Sequence, residues 1–328
     1  MENDLGNDIQ KSAPATKISL SRVGVTGLKR ILRLKGESGR ETLFFAEMNL
    51  YAHLDATQSG VHMSRFIENI ENAASEIAMS SSPDFETLTD RMAISIAKTQ
   101  GATRAGADVR AQCPMTRRTP ASNMKVENLY TFIGYSASDG ASTRRATGVE
   151  VNGLTVCPCA REMVSEHARS ALKDAGYSDE QVTEILSILP IASHNQRGLG
   201  TLLVGSETPI RMERLVSIVE DSMSSGIYEL LKRPDELRVV WDGHMKPRFV
   251  EDVVREMLRG VIERLPELED DAFVIARQEN FESIHVHNAY AERSGLLGDI
   301  KNELRGIGRP CAPATLESWL DASLQRYV

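Results

Sequence analysis

Two stretches of the chain resemble each other at a constant separation, and this internal similarity limits the folds that the chain can adopt. Residues 62–75 (HMSRFIENIENAAS) align with residues 211–224 (RMERLVSIVEDSMS) at an offset of 149. Apolar residues recur in both at three- and four-residue intervals, the spacing of an amphipathic helix. Unrelated amphipathic helices share that spacing, but here Arg65 also aligns with Arg214 and Glu71 with Glu220. We interpret the match as an ancient duplication.

Extended segments flank both helical stretches. Residues 17–35 and 41–54 are separated by Gly36-Glu-Ser-Gly39, which predicts a hairpin, and a further helix is predicted over 85–98. The second half repeats this order, with predicted strands at 126–135, 146–156, 194–204 and 273–284 and predicted helices at 211–231 and 249–265. Two copies of a strand-pair, helix-pair, strand-pair unit predict an α+β fold with helices on one face of an antiparallel sheet. Closing such sheets into a barrel between subunits would bury their open edges.

The remaining segments complete a predicted division of the chain into a leader, two repeats and an extension. Residues 1–15 are polar and aperiodic, which predicts a disordered leader. The repeats are predicted at 16–120 and 121–294, and residues 295–328 form a C-terminal extension. Residues 161–190 are predicted to be a helical pair inserted in the second repeat, where Ser178 and Gln181 have the spacing of a capping box.

Charge and hydropathy exclude several classes of function. The 328 residues include 38 Lys and Arg against 46 Asp and Glu, a formal net charge of −8. An acidic chain is poorly suited to nucleic acid or anionic membranes, although a local basic pocket for a small anion is compatible with it. No apolar run approaches the roughly 20 residues of a membrane span, and the N-terminus lacks a signal-peptide pattern. We therefore expect a cytoplasmic protein that binds neither nucleic acid nor membrane.

Two cysteines and two histidine-containing strings carry the chemical signal. Cys157 and Cys159 flank Pro158, and in a reducing compartment such a pair indicates metal or thiol chemistry. The strings are SHNQRG at 193–198 and ESIHVH at 282–287. If the second string is a strand, His285 and His287 share the face opposite Glu282. Thiolate and imidazole suit a borderline-soft divalent metal, although a histidine on a strand is also a common core or interface residue.

Six strings taken together point to a known family. They are GVHMSRF (60–66), CPC (157–159), SHNQRG (193–198), KRPDE (232–236), FVEDVVRE (249–256) and ENFESIHVHNAYA (279–291). In this order they resemble the type IB GTP cyclohydrolases, including their archaeal methanopterin-pathway branch, over most of residues 17–293. The resemblance implies the tunnelling fold, in which two tandem repeats per chain assemble into barrels between subunits. It also implies a homodimer or homotetramer.

The resemblance assigns roles to residues of the CPC, HNQR and FESIH strings. It implies metal ligation by Cys157, His194 and His285. Cys159 matches a cysteine between metal and substrate that assists the reaction. By the same resemblance the catalytic set is Cys157, Cys159 and Glu256, Glu282 grips the purine, and His287 supports the metal site.

One position departs from the family pattern, and the phosphate ligands are less specific. Many bacterial members carry a metal-binding glutamate five residues past RPDE, where this chain has Trp241. His244 is the best substitute, with Asp242 or water as other candidates and a solvated loop histidine as the alternative reading. The candidate substrate-binding residues besides Glu282 are Arg197, Lys232, Arg233, Arg65 and His62, the last as a phosphate or inter-subunit contact.

The implied activity is the metal-dependent opening of the guanine ring of GTP at C8 with loss of formate. The product would be 7,8-dihydroneopterin triphosphate or its 2′,3′-cyclic phosphate, in the first step of folate or methanopterin-type pterin biosynthesis. One divalent ion per site is implied, Fe²⁺ first and Mn²⁺ or Zn²⁺ as alternatives. Two other readings are a nitrile reductase of the same fold, which would need NADPH, and a non-catalytic oligomer stabilised by metal.

Overall fold

One antiparallel sheet runs through the chain and positions every other element. In the computed structural model, residues 9–35, 41–78, 85–307 and 314–322 are described. The strands are β1 (Leu20–Lys35), β2 (Glu41–Leu54), β3 (Ala105–Arg118), β4 (Lys125–Ser138), β5 (Thr143–Val156), β6 (Asn195–Gly205), β7 (Ser225–Gly226), β8 (Phe273–Asn280) and β9 (Ala289–Leu296). The helices are α1 (Met63–Ala78), α2 (Phe85–Gln100), α3 (Pro158–Asp174), α4 (Asp179–Ile188), α5 (Met212–Ser222), α6 (Arg233–Met245), α7 (Val250–Arg264), α8 (Leu297–Leu304) and α9 (Leu316–Ala322).

The strands are ordered β1-β2-β3-β4-β5-β6-β8-β9, and β7 adds a short pairing to β5. Side chains alternate across the sheet, as in β2, where Ala46, Met48 and Leu50 are buried while Phe45 is exposed. The buried face packs against α1 and α2 in the first half and against α5 and α7 in the second. The predicted α+β class and its antiparallel sheet with helices are therefore confirmed.

The order strand, strand, helix, helix, strand, strand occurs twice when the inserted helices are set aside. The first occurrence is β1, β2, α1, α2, β3 and β4, and the second is β5, β6, α5, α7, β8 and β9. The predicted boundary at 120 falls in the turn between β3 and β4. Because β4 and β5 are hydrogen-bonded neighbours, the sheet has no break between the halves, and both the duplication and its boundary stay predictions.

The structure corrects several predicted elements. The helix predicted over 211–231 ends at Ser222, because the Ser224 amide donates to the Leu154 carbonyl and the chain then pairs with β5 as β7. Helix α6 follows, although its sequence showed no helical stripe; Leu237 and Trp241 on it are exposed. The strand predicted to reach residue 284 ends at Asn280. Strands β3 and β9 were not predicted.

The segments outside the repeats are only partly as expected. The helical insert is confirmed as α3 and α4, and Ser178 and Gln181 form the predicted capping box. Residues 9–12 are not a disordered leader, because the Ser12 carbonyl accepts a hydrogen bond from the Ser59 amide. Residues 1–8 and the predicted hairpin turn at 36–39 lie outside the described residues. The predicted extension boundary at 294 falls inside β9. None of the helices in the described ranges is long and apolar enough to cross a membrane.

Candidate active site

A pocket at the ends of β6 and β8, on the helix-covered side of the sheet, brings together residues from distant parts of the chain. Its volume is about 270 Å³. The first turn of α7 forms another wall. The lining residues are Cys157, His194, Gln196, Arg248, Phe249, Val250, Glu251, Asn280, Glu282, His285, His287 and Ala289.

Strand alternation explains why these side chains meet. Residues 194, 196 and 198 point to one side along β6 and its approach, and residues 280 and 282 do the same at the end of β8. Gly198 and Asn280 are register partners, so the two sets are adjacent. Any Cβ at Gly198 would lie 2.2 Å from Gln278 Nε2 and 2.8 Å from Asn280 Oδ1, so only glycine leaves room for these amides.

Cys157 is held at the beginning of α3, directly beside the histidine string. It is the N-cap residue of α3, and its Sγ accepts a hydrogen bond from the Ala160 amide at 3.5 Å. The Cys157 amide donates to the His194 carbonyl at 3.1 Å, and Ser193 Oγ donates to the Cys157 carbonyl at 2.6 Å. The CPC and SHNQRG strings are thus joined by backbone contacts, which fixes the thiol relative to the imidazole.

The His194 ring is oriented by a buried glutamine. His194 Nδ1 lies 3.0 Å from Gln196 Oε1, and Gln196 Nε2 donates to Thr155 Oγ1 at 3.1 Å. Since the Gln196 NH₂ group donates to Thr155, the Gln196 oxygen is the group left to accept a hydrogen bond from His194 Nδ1–H. That tautomer leaves the lone pair of Nε2 free, the arrangement found in many metal-binding histidines.

Glu282 presents an unsatisfied oxygen to the same pocket. Its side chain is 9% exposed, and its Oε2 is buried without a hydrogen-bond partner among the described residues. The nearest charge-bearing candidate is His194 Nδ1 at 3.7 Å. A buried carboxylate oxygen without a partner costs free energy, so it marks a place where a ligand donor is expected.

His285 and His287 follow on an irregular segment, which corrects the predicted strand. Their rings stack with centroids 5.3 Å apart, and the His285 ring is 6.1 Å from that of His194 in an edge-on arrangement. Residues 281–288 lack strand pairing, and both histidines are exposed. The two rings are neighbours, but strand alternation does not place them, because the segment is not a strand.

The pocket contains side chains of the types that bind divalent metals, but these side chains do not converge on one point. Among the described residues, no three His, Cys, Asp or Glu side chains converge closely enough to hold an ion. Cys157, His194 and His285 nonetheless line one pocket, beside the unpartnered Glu282 oxygen. A thiolate with imidazoles is the ligand type that Zn²⁺ and Fe²⁺ accept. The residue types therefore fit a metal in their chemistry, and His285 is the exposed one of the three.

Glu256 lies in a second, adjoining cavity rather than in the pocket. This cavity has a volume of about 170 Å³, and several Lys and Arg side chains line it. Glu256 pairs with Arg248 at 3.5 Å and with Arg259. Arg248 lines both cavities. Burial, together with the positive charge of Arg248, lowers the pKa of Lys246 in the same cavity. Among the described residues, the ion pair with Arg248 links Glu256 to the pocket.

His244 is not among the residues that line the pocket, and its place as fourth ligand stays a prediction. It lies in the last turn of α6, not in a loop. Its Nδ1 is 2.9 Å from the Val240 carbonyl and its Nε2 is 3.4 Å from the Ser193 carbonyl. A neutral imidazole donates from one nitrogen only, so Nδ1, the closer of the two to a carbonyl, is engaged and Nε2 keeps its lone pair. Trp241, on the same helix, is 39% exposed.

The predicted catalytic residue Cys159 and several predicted substrate-binding residues also lie outside the pocket. Cys159, Arg197, Lys232 and Arg233 are exposed and do not line it.

His62 and Arg65 belong to the other half of the chain. The His62 backbone is held by the Gln100 side chain, and Arg65 donates to the Thr99 carbonyl at 3.0 Å. Within one chain these side chains do not meet the cysteine, so their roles stay predictions that require a second subunit.

Asp235 of KRPDE has a structural role that the sequence did not reveal. It is fully buried, and its carboxylate accepts hydrogen bonds from the Ala121 amide at 2.9 Å, the Ser122 amide at 2.7 Å and the Ser122 hydroxyl at 2.7 Å. Burial acts to raise the pKa of Asp235, but these hydrogen bonds and one from the Lys232 amide outweigh it and hold the pKa below its usual range. Asp235 thus fastens α6 to the turn between β3 and β4.

Among the lining residues that were not predicted as site residues are Gln196, Asn280 and Arg248. Gln196 and Asn280 lie two residues from His194 and Glu282 on strand segments, so alternation alone places them on the same side. Arg248 immediately precedes the FVEDVVRE string, and no pattern in the sequence singles it out.

Comparison with known proteins identifies the family. The family model described as type I GTP cyclohydrolase folE2 matches residues 7–291. The chain belongs to this family. Among curated GTP cyclohydrolases, MptA of Methanothermobacter thermautotrophicus is 38% identical over 311 residues, covering 92% of this chain and 98% of that protein. MptA of Methanococcus aeolicus is 37% identical over 308 residues, covering 91% and 99%. The predicted resemblance to GTP cyclohydrolases is therefore confirmed.

The fold of this GTP cyclohydrolase family member is shared with a solved structure of different sequence. Uricase from Arthrobacter globiformis superposes with a TM-score of 0.52 over 93% of this chain and 99% of that chain, at 11% sequence identity. At this identity the likeness concerns the fold alone. It supports an α+β architecture with an antiparallel sheet and helices.

Proposed function

We propose that the chain is a metal-dependent GTP cyclohydrolase of type IB that opens the guanine ring at C8 and releases formate. The observation that carries the proposal is the meeting of Cys157, His194, Glu282 and His285 in one pocket, although they are far apart in the sequence. Membership of the GTP cyclohydrolase family supplies the reaction class.

Cys157, His194 and His285 would hold the ion. Cys157 Sγ lies at the amino end of α3, where backbone N–H groups favour a negatively charged ligand atom. His194 offers Nε2 because Gln196 engages its Nδ1. Bound in this pocket, a divalent ion supplies Lewis acidity for the activation of water.

Glu282 would anchor the base. Guanine carries N1–H and the N2 amino group side by side, so one carboxylate can accept hydrogen bonds from both. The buried Oε2 without a partner is the group expected at such an anchor. A hydrogen-bonded guanine would satisfy it and would fix C8 at the opposite end of the purine.

Proton transfer is needed when the imidazole nitrogens of the purine leave and the formyl carbon departs. The exposed His287 ring lines the pocket, and an imidazole can both accept and donate a proton, which suits a proton carrier. We also propose that Cys159 assists as a thiol and that Glu256 is a second active-site carboxylate, which acts through Arg248.

The triphosphate requires cations, which the chain supplies locally despite its acidic balance. Arg248 lines both cavities and is therefore the cationic side chain within the pocket itself. The exposed Arg197, Lys232 and Arg233, with His62 and Arg65, are proposed contacts in an assembly of tunnelling-fold subunits. The open sheet edges at β1 and β9 support such a homodimer or homotetramer.

The test is anaerobic incubation of the purified full chain with GTP and Fe²⁺, Mn²⁺ or Zn²⁺, followed by formate assay and mass analysis of the pterin. Formate with a dihydroneopterin product supports the proposal. A 2′,3′-cyclic phosphate would place the enzyme in the methanopterin-type branch, whereas a triphosphate would favour the folate-type branch. Absence of turnover with all three metals would reject it.

A further inference from the structure

We propose that Asn280 is a second base-recognition residue, whose side-chain amide donates to O6 of guanine beside the Glu282 anchor. The inference rests on the proposed binding of GTP in this pocket. In this role the Asn280 amide would distinguish a 6-oxo purine from a 6-amino purine.

The Asn280 amide is already oriented by the protein. Asn280 is 2% exposed and lines the pocket, and its Oδ1 accepts a hydrogen bond from Gln278 Nε2 at 2.9 Å. Gln278 itself is completely buried. Because Oδ1 is occupied, the remaining polar group of the Asn280 side chain is Nδ2. This group makes no hydrogen bond within the described ranges.

The reverse orientation of the two amides is unfavourable. It would turn the Gln278 NH₂ group toward the apolar space beside Gly200, where Val219 Cγ1 and Met223 Cε lie. The Gln278 oxygen that occupies this space has no partner. A buried carbonyl oxygen without a partner is tolerated better than a buried N–H without one. The orientation with Nδ2 of Asn280 directed to the pocket therefore follows from the packing.

Asn280 and Glu282 together complement one edge of guanine. They are two residues apart at the end of β8, where the Phe281 amide still donates to the Arg197 carbonyl, so their side chains share a side. One offers a free N–H and the other a free carboxylate oxygen. Guanine presents O6 as an acceptor next to the N1–H and N2 donors. A purine with an amino group at C6 would set a donor against the Asn280 donor.

The test compares GTP with 2,6-diaminopurine riboside triphosphate, which carries NH₂ at C6. Dissociation constants are measured by calorimetry on the full chain with chelator present, so that no turnover occurs. In Asn280→Asp the new carboxylate still accepts from Gln278 but now also accepts from the C6 amino group. We expect the preference for GTP to fall by about 10-fold or more relative to wild type.

The design separates this effect from other contributions. Glu282 also disfavours the diamino base, whose N1 carries no hydrogen, but that contribution is common to both proteins and cancels in the ratio. Asn288→Asp is the matched control, because it adds the same charge at an exposed position whose side chain contacts Glu279. The control should keep the wild-type preference.

Each outcome decides the matter. An unchanged preference in a folded Asn280→Asp protein overturns the assignment, even where the wild type releases formate from GTP. A lost preference together with absent formate release retains Asn280 and rejects the cyclohydrolase. If Asn280→Asp does not fold, Asn280→Ala removes the donor together with the acceptor for Gln278 Nε2, and the preference should again fall about 10-fold. An unchanged value there overturns the inference.

Discussion

At the scale of single residues, the site depends on side chains that hold other side chains. Gln196 sits between Thr155 and His194 and uses both ends of its amide. Such supporting contacts fix the tautomer and direction of a ligand ring. The chemistry expected of His194 is therefore decided by a neutral residue that carries no reactive group.

Replacing Gln196 should weaken metal binding without removing a ligand. We expect Gln196→Leu to lower the affinity for Zn²⁺ or Mn²⁺ by about 10- to 100-fold, because the His194 ring loses its acceptor at Nδ1. Competition with a metal-binding dye measures the constant. Gln112→Leu, at an exposed position of β3, is the control and should bind metal normally. Equal affinities in the two variants would contradict the proposed support.

The histidines should differ in their effect on metal content. We expect His194→Ala and His285→Ala to lose bound metal after dialysis, because each removes a proposed ligand from the pocket. His244→Ala should keep it, since His244 is not among the residues that line the pocket. Elemental analysis gives the stoichiometry, with the exposed His167→Ala as control. Loss of metal in His244→Ala would restore His244 as the fourth ligand.

At the scale of elements, helix α6 shows how a polar sequence is held in place. Few of its side chains are buried, and no apolar stripe predicted the helix. It is fixed at its first turn by the hydrogen bonds of Asp235 to residues 121 and 122. A helix attached in this way depends on one ionised carboxylate more than on buried area.

The stability contributed by Asp235 should depend on pH. The hydrogen bonds hold the folded-state pKa of Asp235 below the unfolded value of about 3.9, so the carboxylate stabilises the fold above that pH. We expect Asp235→Asn to lower the Tm by several degrees at pH 7. The difference from wild type should shrink as the pH falls through 4 toward the folded-state pKa, where wild-type Asp235 also becomes protonated.

A series of melting curves between pH 3 and pH 7 measures this difference. Asp174→Asn, on the exposed surface of α3, is the matched control. A constant Tm difference across the pH range would show that the charge of Asp235 does not carry the effect.

At the scale of the whole molecule, helix α9, which lies beyond the residues matched by the family model, packs against the sheet. Trp319 of α9 is buried on the face opposite α5 and α7, stacks on Phe273 with centroids 6.0 Å apart, and donates from Nε1 to the Asp271 carbonyl at 2.9 Å. Arg144 lies over its ring at 4.2 Å. The indole occupies the space above Gly205, where a Cβ would lie 2.6 Å from the ring.

Gly205 and Trp319 should therefore be energetically coupled. We expect Gly205→Ala to destabilise the protein by about 1–3 kcal/mol through overpacking. Trp319→Ala should cost about 3 kcal/mol or more if the indole packs as a core residue. In the double variant the effect of Gly205→Ala should largely disappear, because the ring it strikes is gone. Urea unfolding of the four proteins tests the coupling, and additive effects would contradict it.

The sheet also predicts self-association. In the described part of the chain, β1 and β9 each pair on one side only, and β1 spans 16 residues. Long open edges favour pairing with another chain. We expect native mass spectrometry to give two or four times the chain mass. A monomer at micromolar concentration would contradict the expected assembly.

The sequence by itself determined the helical and extended segments with a strong apolar period. The paired helices, the insert and the first two strands were predicted because their periodicity is local. The CPC, HNQR and FESIH strings also identified the family, since residue type and spacing are read directly from the chain. Helix α6 and strand β9 escaped prediction, because their partners rather than their own patterns hold them. Strand β3 was missed although Ala105, Ala107, Val109, Ala111 and Cys113 are buried at every second position.

Only the tertiary structure decided which of these residues meet. It joined Cys157, His194 and Glu282 in one pocket, placed Glu256 behind Arg248, and turned His244 toward backbone carbonyls. It also revealed the roles of Gln196, Asn280 and Asp235, which are hydrogen-bond partners across strands and turns. The physical reason is that periodicity reports the side on which a residue lies, whereas direction and contact depend on the packing of distant segments.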